Sequence, residues 1–255
     1  MKTRILAILA TLAVASSTFA AVEGSDNGST YGGTWGNGSG ANAAFSAWTI
    51  NSGNGSGFAG TFIGDPATAG ISGMSASSFG QFANPTNSGA FVTADRSFVG
   101  ALSVGQTFSV DWGINFDSGS WDTGNGNKGF NLYSGGTGGT ELLNVNNGAN
   151  SDITLNGNSV GFGYGVNVMT WSFTLLDANT LQVQANDRDG TGTFSQNLAI
   201  AAAPDSIRLY ATSLQAGDNA QPYYNNFTIV PEPSTMVMAL MGAIGLVAAR
   251  RRLQK

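Results

Sequence analysis

Carboxylates are the residues to weigh first for chemistry, because histidine and cysteine are both absent from this 255-residue chain. Their absence removes the commonest metal ligand, the commonest general base and any Ser–His or Cys–His nucleophile pair. Glycoside hydrolysis can run on two carboxyl groups alone, about 5 Å apart in a retaining enzyme, with one raised in pKa. Asp111 and Asp117 straddle the end of a predicted strand, and Asp122 lies just beyond. Alternation turns Asp111 away from the apolar side chains, where it could line a sheet face. Glu23 and Glu141 are the only glutamates between residues 21 and 230, so no Glu-rich strand is present. A solubilising polar face explains the same acids.

Two other groupings could bind rather than react. Asp187-Arg188-Asp189-Gly190, preceded by Asn186, alternates oxygen ligands before a glycine, which is how a calcium loop begins. Thr191 to Gln196 supplies no acid to complete the loop, and a hairpin turn accounts for the same residues. Calcium on Asp187 and Asp189 is the one cofactor the sequence offers. The second grouping is aromatic. Sugar rings stack their C–H faces on Trp and Tyr, while Asn, Asp and Gln bond the hydroxyls. Trp121 sits beside Asp122 amid Gly, Ser and Asn; with Asp111, these form the candidate ligand-binding set. Tyr31, Trp35, Trp48, Tyr133, Tyr210 and Tyr223 are further aromatics of this kind, whereas Trp112 and Trp171 fall on core positions by alternation.

Between residues 21 and 230, Arg96, Lys128, Arg188 and Arg208 are the only cations against fourteen acids, a net charge of about −10. An acidic surface without a basic stripe repels phosphate backbones, which excludes nucleic acid as a partner. An anionic polysaccharide would need a bridging divalent cation. Gly, Asn, Ser and Thr dominate, but fifteen Phe and five Trp require a core.

The elements that must position these residues are strands. Phe108, Val110, Trp112, Ile114 and Phe116 alternate with Ser109, Asp111, Gly113 and Asn115, the mark of a strand with one buried face. Shorter alternations cover Phe130–Leu132, Ile153–Leu155, Met169–Leu175, Leu181–Ala185 and Ile207–Ala211, with Tyr223–Val230 as the last strand. Phe45–Ile50, 58–64 and 78–83 are fainter. Asp177-Ala178-Asn179 and Asp189-Gly190 read as hairpin turns. Leu198–Ala203 is the best helical stretch, and Pro204 ends it. Many short strands with Gly/Asn turns and no fixed-period repeat predict an all-β sandwich or barrel.

Both ends carry export signals. Lys2 and Arg4 precede an apolar stretch from Ile5 to Val14, and Thr18-Phe19-Ala20 offers a cleavage site, so residues 1–20 read as a signal peptide. At the other end, Pro231-Glu232-Pro233 precedes an apolar run from Met236 to Ala249, followed by Arg250-Arg251-Arg252. The run has fourteen residues, about 21 Å as a helix, against a hydrocarbon core of about 30 Å. A short, weakly held span suits a segment meant for processing, with the arginines as a cytoplasmic membrane stop.

This tail resembles the PEP-CTERM protein-sorting signal. The resemblance implies export in a Gram-negative bacterium that makes exopolysaccharide. It also implies transient inner-membrane tethering, removal of the tail by an exosortase-type enzyme, and an extracellular, surface or biofilm-matrix location. From about Phe98 to Val230 the strand pattern is similar to that of concanavalin-like jelly rolls of exported, sugar-associated modules. The residues carrying this are Gly105 to Asp111, the Trp171–Ala185 hairpin, Ser206 to Tyr210 and Asn225 to Ile229.

The expected organisation is a signal peptide (1–20), a Gly/Asn-rich entry segment (21–57), a jelly-roll, concanavalin-like β-sandwich (58–230) and a sorting tail (231–255) with a short hydrophobic helix. The expected role is a non-catalytic surface or matrix protein that binds exopolysaccharide and meets the secretion machinery on its way out. An Asp-dependent carbohydrate-active enzyme and a structural protein without ligand are the alternatives.

Overall fold

A computed structural model describes residues 21, 23–55, 57–84, 89–114, 126–148, 152–162, 167–187, 192–214 and 221–231. The expected signal peptide (1–20), most of the expected sorting tail and its apolar run therefore lie outside the described residues. No described helix is long and apolar enough to cross a membrane. The strands are, in order, β1 (Gly24–Asp26), β2 (Thr49–Gly53), β3 (Phe58–Gly64), β4 (Ser78–Asn84), β5 (Phe91–Ser97), β6 (Gln106–Gly113), β7 (Asn127–Ser134) and β8 (Thr140–Gly148). They continue with β9 (Thr154–Leu155), β10 (Asn158–Ser159), β11 (Met169–Asp177), β12 (Thr180–Asp187), β13 (Thr193–Ala199), β14 (Ser206–Thr212) and β15 (Tyr223–Pro231). Two single-turn 3-10 helices, Gly28–Tyr31 and Pro66–Ala69, are the only helical pieces among the described residues.

The strands form an all-β sandwich of two antiparallel sheets. The first runs β13-β12-β11-β6-β15-β4-β3, with β1 also paired to β15. The second runs β10-β9-β8-β7-β14-β5-β2. Phe108, Val110 and Trp112 of β6 and Trp171 and Phe173 of β11 face the gap from one side, and Phe130, Leu132, Ile207 and Leu209 from the other. Fully burying one such side chain is worth about 1.5–3 kcal/mol. Aromatic edges knit the two layers: Trp112 meets Phe130 at 5.7 Å and 86°, and Phe130 meets Trp171 at 5.9 Å and 79°.

Local chemistry fixes register. The β11–β12 hairpin turns where the Asp177 carboxylate accepts the Asn179 N–H at 2.8 Å. In β15 the pairing shifts between Asn225 and Thr228, and Asn226 takes a left-handed φ of 49°. That bulge restores inward positions for Phe227 and Ile229 after Tyr224. Leu198–Ala203 is not a helix: β13 continues to Ala199 and the chain then bends. β5 and β8 are strands that alternation in the sequence did not single out. The entry segment is largely loop, yet it delivers Trp35, Phe45 and Trp48 to the core, each no more than 3% exposed.

Candidate functional site

The entry segment is loop because its polar side chains cap their own backbone. Asn42 Oδ1 accepts from the N–H of Ala44 and Phe45, and Ser39 bonds the Gly36 carbonyl. Folded this way, the segment borders an open cavity of about 550 Å³ lined by Asp26, Thr30, Tyr31, Thr34, Ser39 and Asn42, among others. Asp26, in its lining, forms an ion pair with Arg96 behind it; the two are 5% and 1% exposed. Arg96 also donates to the carbonyls of Ser46 and Gly40. Its guanidinium lies 4.7 Å from the Phe45 ring centre and 4.9 Å from that of Trp48.

The Tyr31 hydroxyl donates to Asp26 at 2.6 Å and accepts from Trp48 Nε1 at 3.0 Å. Burial, and then the bonded Asp26, push the Tyr31 hydroxyl well above the usual tyrosine value, so it stays a donor. Asp26 is the one carboxylate lining this cavity, and Arg96, Tyr31 and the Asn27 N–H engage it. The arrangement can hold a polar ligand by hydrogen bonds. Among the described residues that line it there is no second carboxylate of the kind glycoside hydrolysis uses.

The predicted residues fall in different places. Asp111 lies on the outer face of the first sheet, 3% exposed, accepting from Thr170 Oγ1 at 2.7 Å and Asn226 Nδ2 at 2.6 Å. Trp121 and Asp122 lie outside the described residues. Asp187 ends β12 opposite Met169, and Asp189 lies outside the described residues. No group of three or more metal-ligating side chains occurs among the described residues. Trp35, Trp48, Tyr133 and Tyr223 are buried, whereas Tyr31 and Tyr210 are half-buried. Pro231 closes β15 beside Gln106; Glu232, Pro233 and Arg250 to Arg252 lie outside the described residues.

The two ends of the body meet. Gln106 Nε2 donates to the Ala21 carbonyl at 2.9 Å, and Ala21 is 3% exposed. The same Gln106 is the register partner of Pro231. The sequence signals mark both ends separately, but nothing in their spacing shows that they share one glutamine.

Residues 230–252 match the PEP-CTERM protein-sorting motif. No curated protein matches the chain. Similar solved structures include a lectin from Bauhinia forficata in complex with GalNAc, 11% identical, covering 83% of this chain and 100% of that one at a TM-score of 0.42. The T. cruzi calreticulin globular domain is 8% identical over 78% of this chain and 90% of that one, TM-score 0.44. The exoplasmic/lumenal domain of VIP36 in its Ca2+-bound form is 8% identical over 77% and 86%, TM-score 0.41.

Proposed function

We propose that this chain is an exported, non-catalytic surface or matrix protein whose β-sandwich holds extracellular polysaccharide. The observation that carries the reading is the sorting-motif match, which begins on Val230 and Pro231 at the very end of β15. A cut beyond Pro231 leaves every ladder of the sandwich intact. A cut after Ala20 leaves Ala21 seated on Gln106, so both trimming points lie at one end of the body. In this reading an exosortase-type enzyme removes the tail while the apolar run is lodged in the inner membrane. The acidic, hydroxyl- and amide-rich body then meets the matrix. Calcium binding is assigned to Asp187 and Asp189.

The test is fractionation of a Gram-negative host that makes exopolysaccharide and carries the processing enzyme. The mature protein is expected in the surface or medium fraction, with a mass that lacks both ends and with retention on at least one polysaccharide matrix. A full-length chain retained in the cytosol sinks the export reading. A trimmed, exported protein that binds no glycan, with or without calcium, leaves the ligand-free structural role. Cleavage of any glycan in the panel favours the Asp-dependent enzyme.

A further inference from the structure

The open cavity beside the entry segment carries polar groups that the folded chain leaves unused. Ser25 of β1, Thr34 and Asn42 all line it, and all three are exposed, so a ligand can reach them. The hydroxyls of Ser25 and Thr34 bond to no described residue. Asn42 spends Oδ1 on the N–H groups of Ala44 and Phe45, at 2.9 and 3.0 Å, so its Nδ2 group is left as a donor.

The lining around these groups is already satisfied. Asp26 Oδ1 accepts from the Asn27 N–H at 3.0 Å and the Thr30 hydroxyl at 3.4 Å, while Oδ2 accepts from Tyr31 at 2.6 Å and from Arg96. A carboxylate has about four acceptor sites, so this one has none to spare for a cation. Arg96 balances its charge from a fully buried position and also donates to the Gly40 carbonyl. One guanidinium therefore ties β1 to the loop at Gly40, and two parts of the lining are fixed before any ligand arrives, which limits the ordering cost of binding. Tyr31 adds an aromatic ring. It rests on Gly40, where φ is 79° and a Cβ would stand 1.7 Å from the hydroxyl oxygen. The Phe79 ring, edge-on at 4.8 Å and 84°, helps to hold it there.

The unused groups select the ligand. They are two hydroxyls and one amide, with no charge among them. An ionic ligand meets no free counter-charge, because Asp26 and Arg96 are spent on each other, and the acidic body repels an anionic sugar. An apolar ligand would strip water from these groups without replacing its bonds. A sugar hydroxyl both donates and accepts, which suits Ser, Thr and an amide, and the C–H face of the ring suits tyrosine. The volume of about 550 Å³ falls within the range of about 300–1,000 Å³ usual for small-ligand sites. We propose that this cavity binds a neutral glycan, with Ser25, Thr34 and Asn42 Nδ2 holding its hydroxyls and Tyr31 stacking on a sugar ring. The proposal rests on the polysaccharide-binding reading above and assigns it a place and a sugar class.

The test titrates the full-length chain, in a mild detergent without a sugar headgroup, with neutral gluco-, manno- and galacto-oligosaccharides and with acidic oligogalacturonate. At least one neutral oligosaccharide is expected to bind more tightly than the acidic one and to shift the side-chain amide NMR signals of Asn42. Thr34→Val and Asn42→Asp, made together, are expected to weaken that binding about tenfold, since each removes one hydrogen bond to the ligand. The melting temperature should match the parent's: valine keeps the shape of threonine, and aspartate keeps the oxygen that caps Ala44 and Phe45. Should the pair melt lower, Thr34→Val alone carries the test, with an expected loss of about threefold. Asn197→Ala on β13, at the far edge of the first sheet, should bind as the parent does. If a neutral sugar binds but the Asn42 signals stay put and the variants bind equally, the cavity is the wrong place and the broader reading stands. Tighter binding of oligogalacturonate overturns the sugar class. No binding of any probe, with or without calcium, overturns the broader reading and the cavity with it.

Discussion

Arg96 and Arg208 occupy neighbouring strands and each pairs with an aspartate, but water reaches only one of them. Arg96 is enclosed by Phe45, Trp48 and the Asp26 carboxylate, with its side chain fully buried. The side chains of Arg208 and Asp95 are 31% and 16% exposed. Replacing one partner of a buried pair leaves an uncompensated charge and costs about 3–5 kcal/mol, whereas a half-solvated pair is worth about 1 kcal/mol or less. Asp26→Ala should therefore lower the urea midpoint far more than Asp95→Asn, though both delete one ion pair. Equal losses would mean that the Arg96 cation finds water or another acceptor once Asp26 is gone. The consequence reaches beyond one bond, because Asp26 and the Ser46 carbonyl belong to the entry segment and Arg96 to β5. This guanidinium fastens a loop with little strand of its own onto the sandwich.

At the scale of elements, β8, β7 and β14 lie side by side in the second sheet, and their spacing depends on Gly129. A Cβ at that position would come within 1.9 Å of the Val145 carbonyl oxygen, a backbone atom that cannot swing away. Gly129→Ala should force β7 from β8 and lift the Tyr210 ring, costing about 1–3 kcal/mol by overpacking. Thermal melts would register that loss; an unchanged melting temperature would show that the strands separate freely there. The same elements show what the sequence makes legible. β6, β11, β12 and β14 alternate cleanly because one face carries apolar side chains to the core and the other carries polar ones. β5 hides because Arg96 occupies an inward position between apolar neighbours. β8 hides because Leu142 and Leu143 are adjacent, Asn147 is buried, and its pairing with β7 shifts at Leu132/Tyr133. Tyr133 and Tyr210 were readable as candidate aromatics. Their meeting with Asn131, Asn144 and Asp95 was not, since the strands concerned pair across separations that no local spacing encodes. Trp121 and Asp122 lie outside the described residues.

The whole molecule couples its tyrosines to folding. Burial raises the hydroxyl pKa of Tyr31, Tyr133, Tyr210 and Tyr224, with the fully buried Tyr224 held well above the ordinary value of 10.0. Tyr224 donates to the Gly129 carbonyl at 2.8 Å from the core side of the sheet whose outer face carries Tyr210. A raised pKa in the folded state means that the native protein keeps protons the unfolded chain gives up. The stability these groups contribute is fully present below pH 10 and is lost as pH rises past it toward their folded values. Melting temperature should therefore hold from neutral pH to about pH 10 and then fall. Tyrosinate absorbance of the folded protein should lag that of the chain in concentrated urea over the same range. Coincident titration curves would show that the rings ionise in place and that burial does not guard them. The acidic body adds to the slope, because each tyrosinate formed on unfolding joins a chain that already carries fourteen acids against four cations between residues 21 and 230.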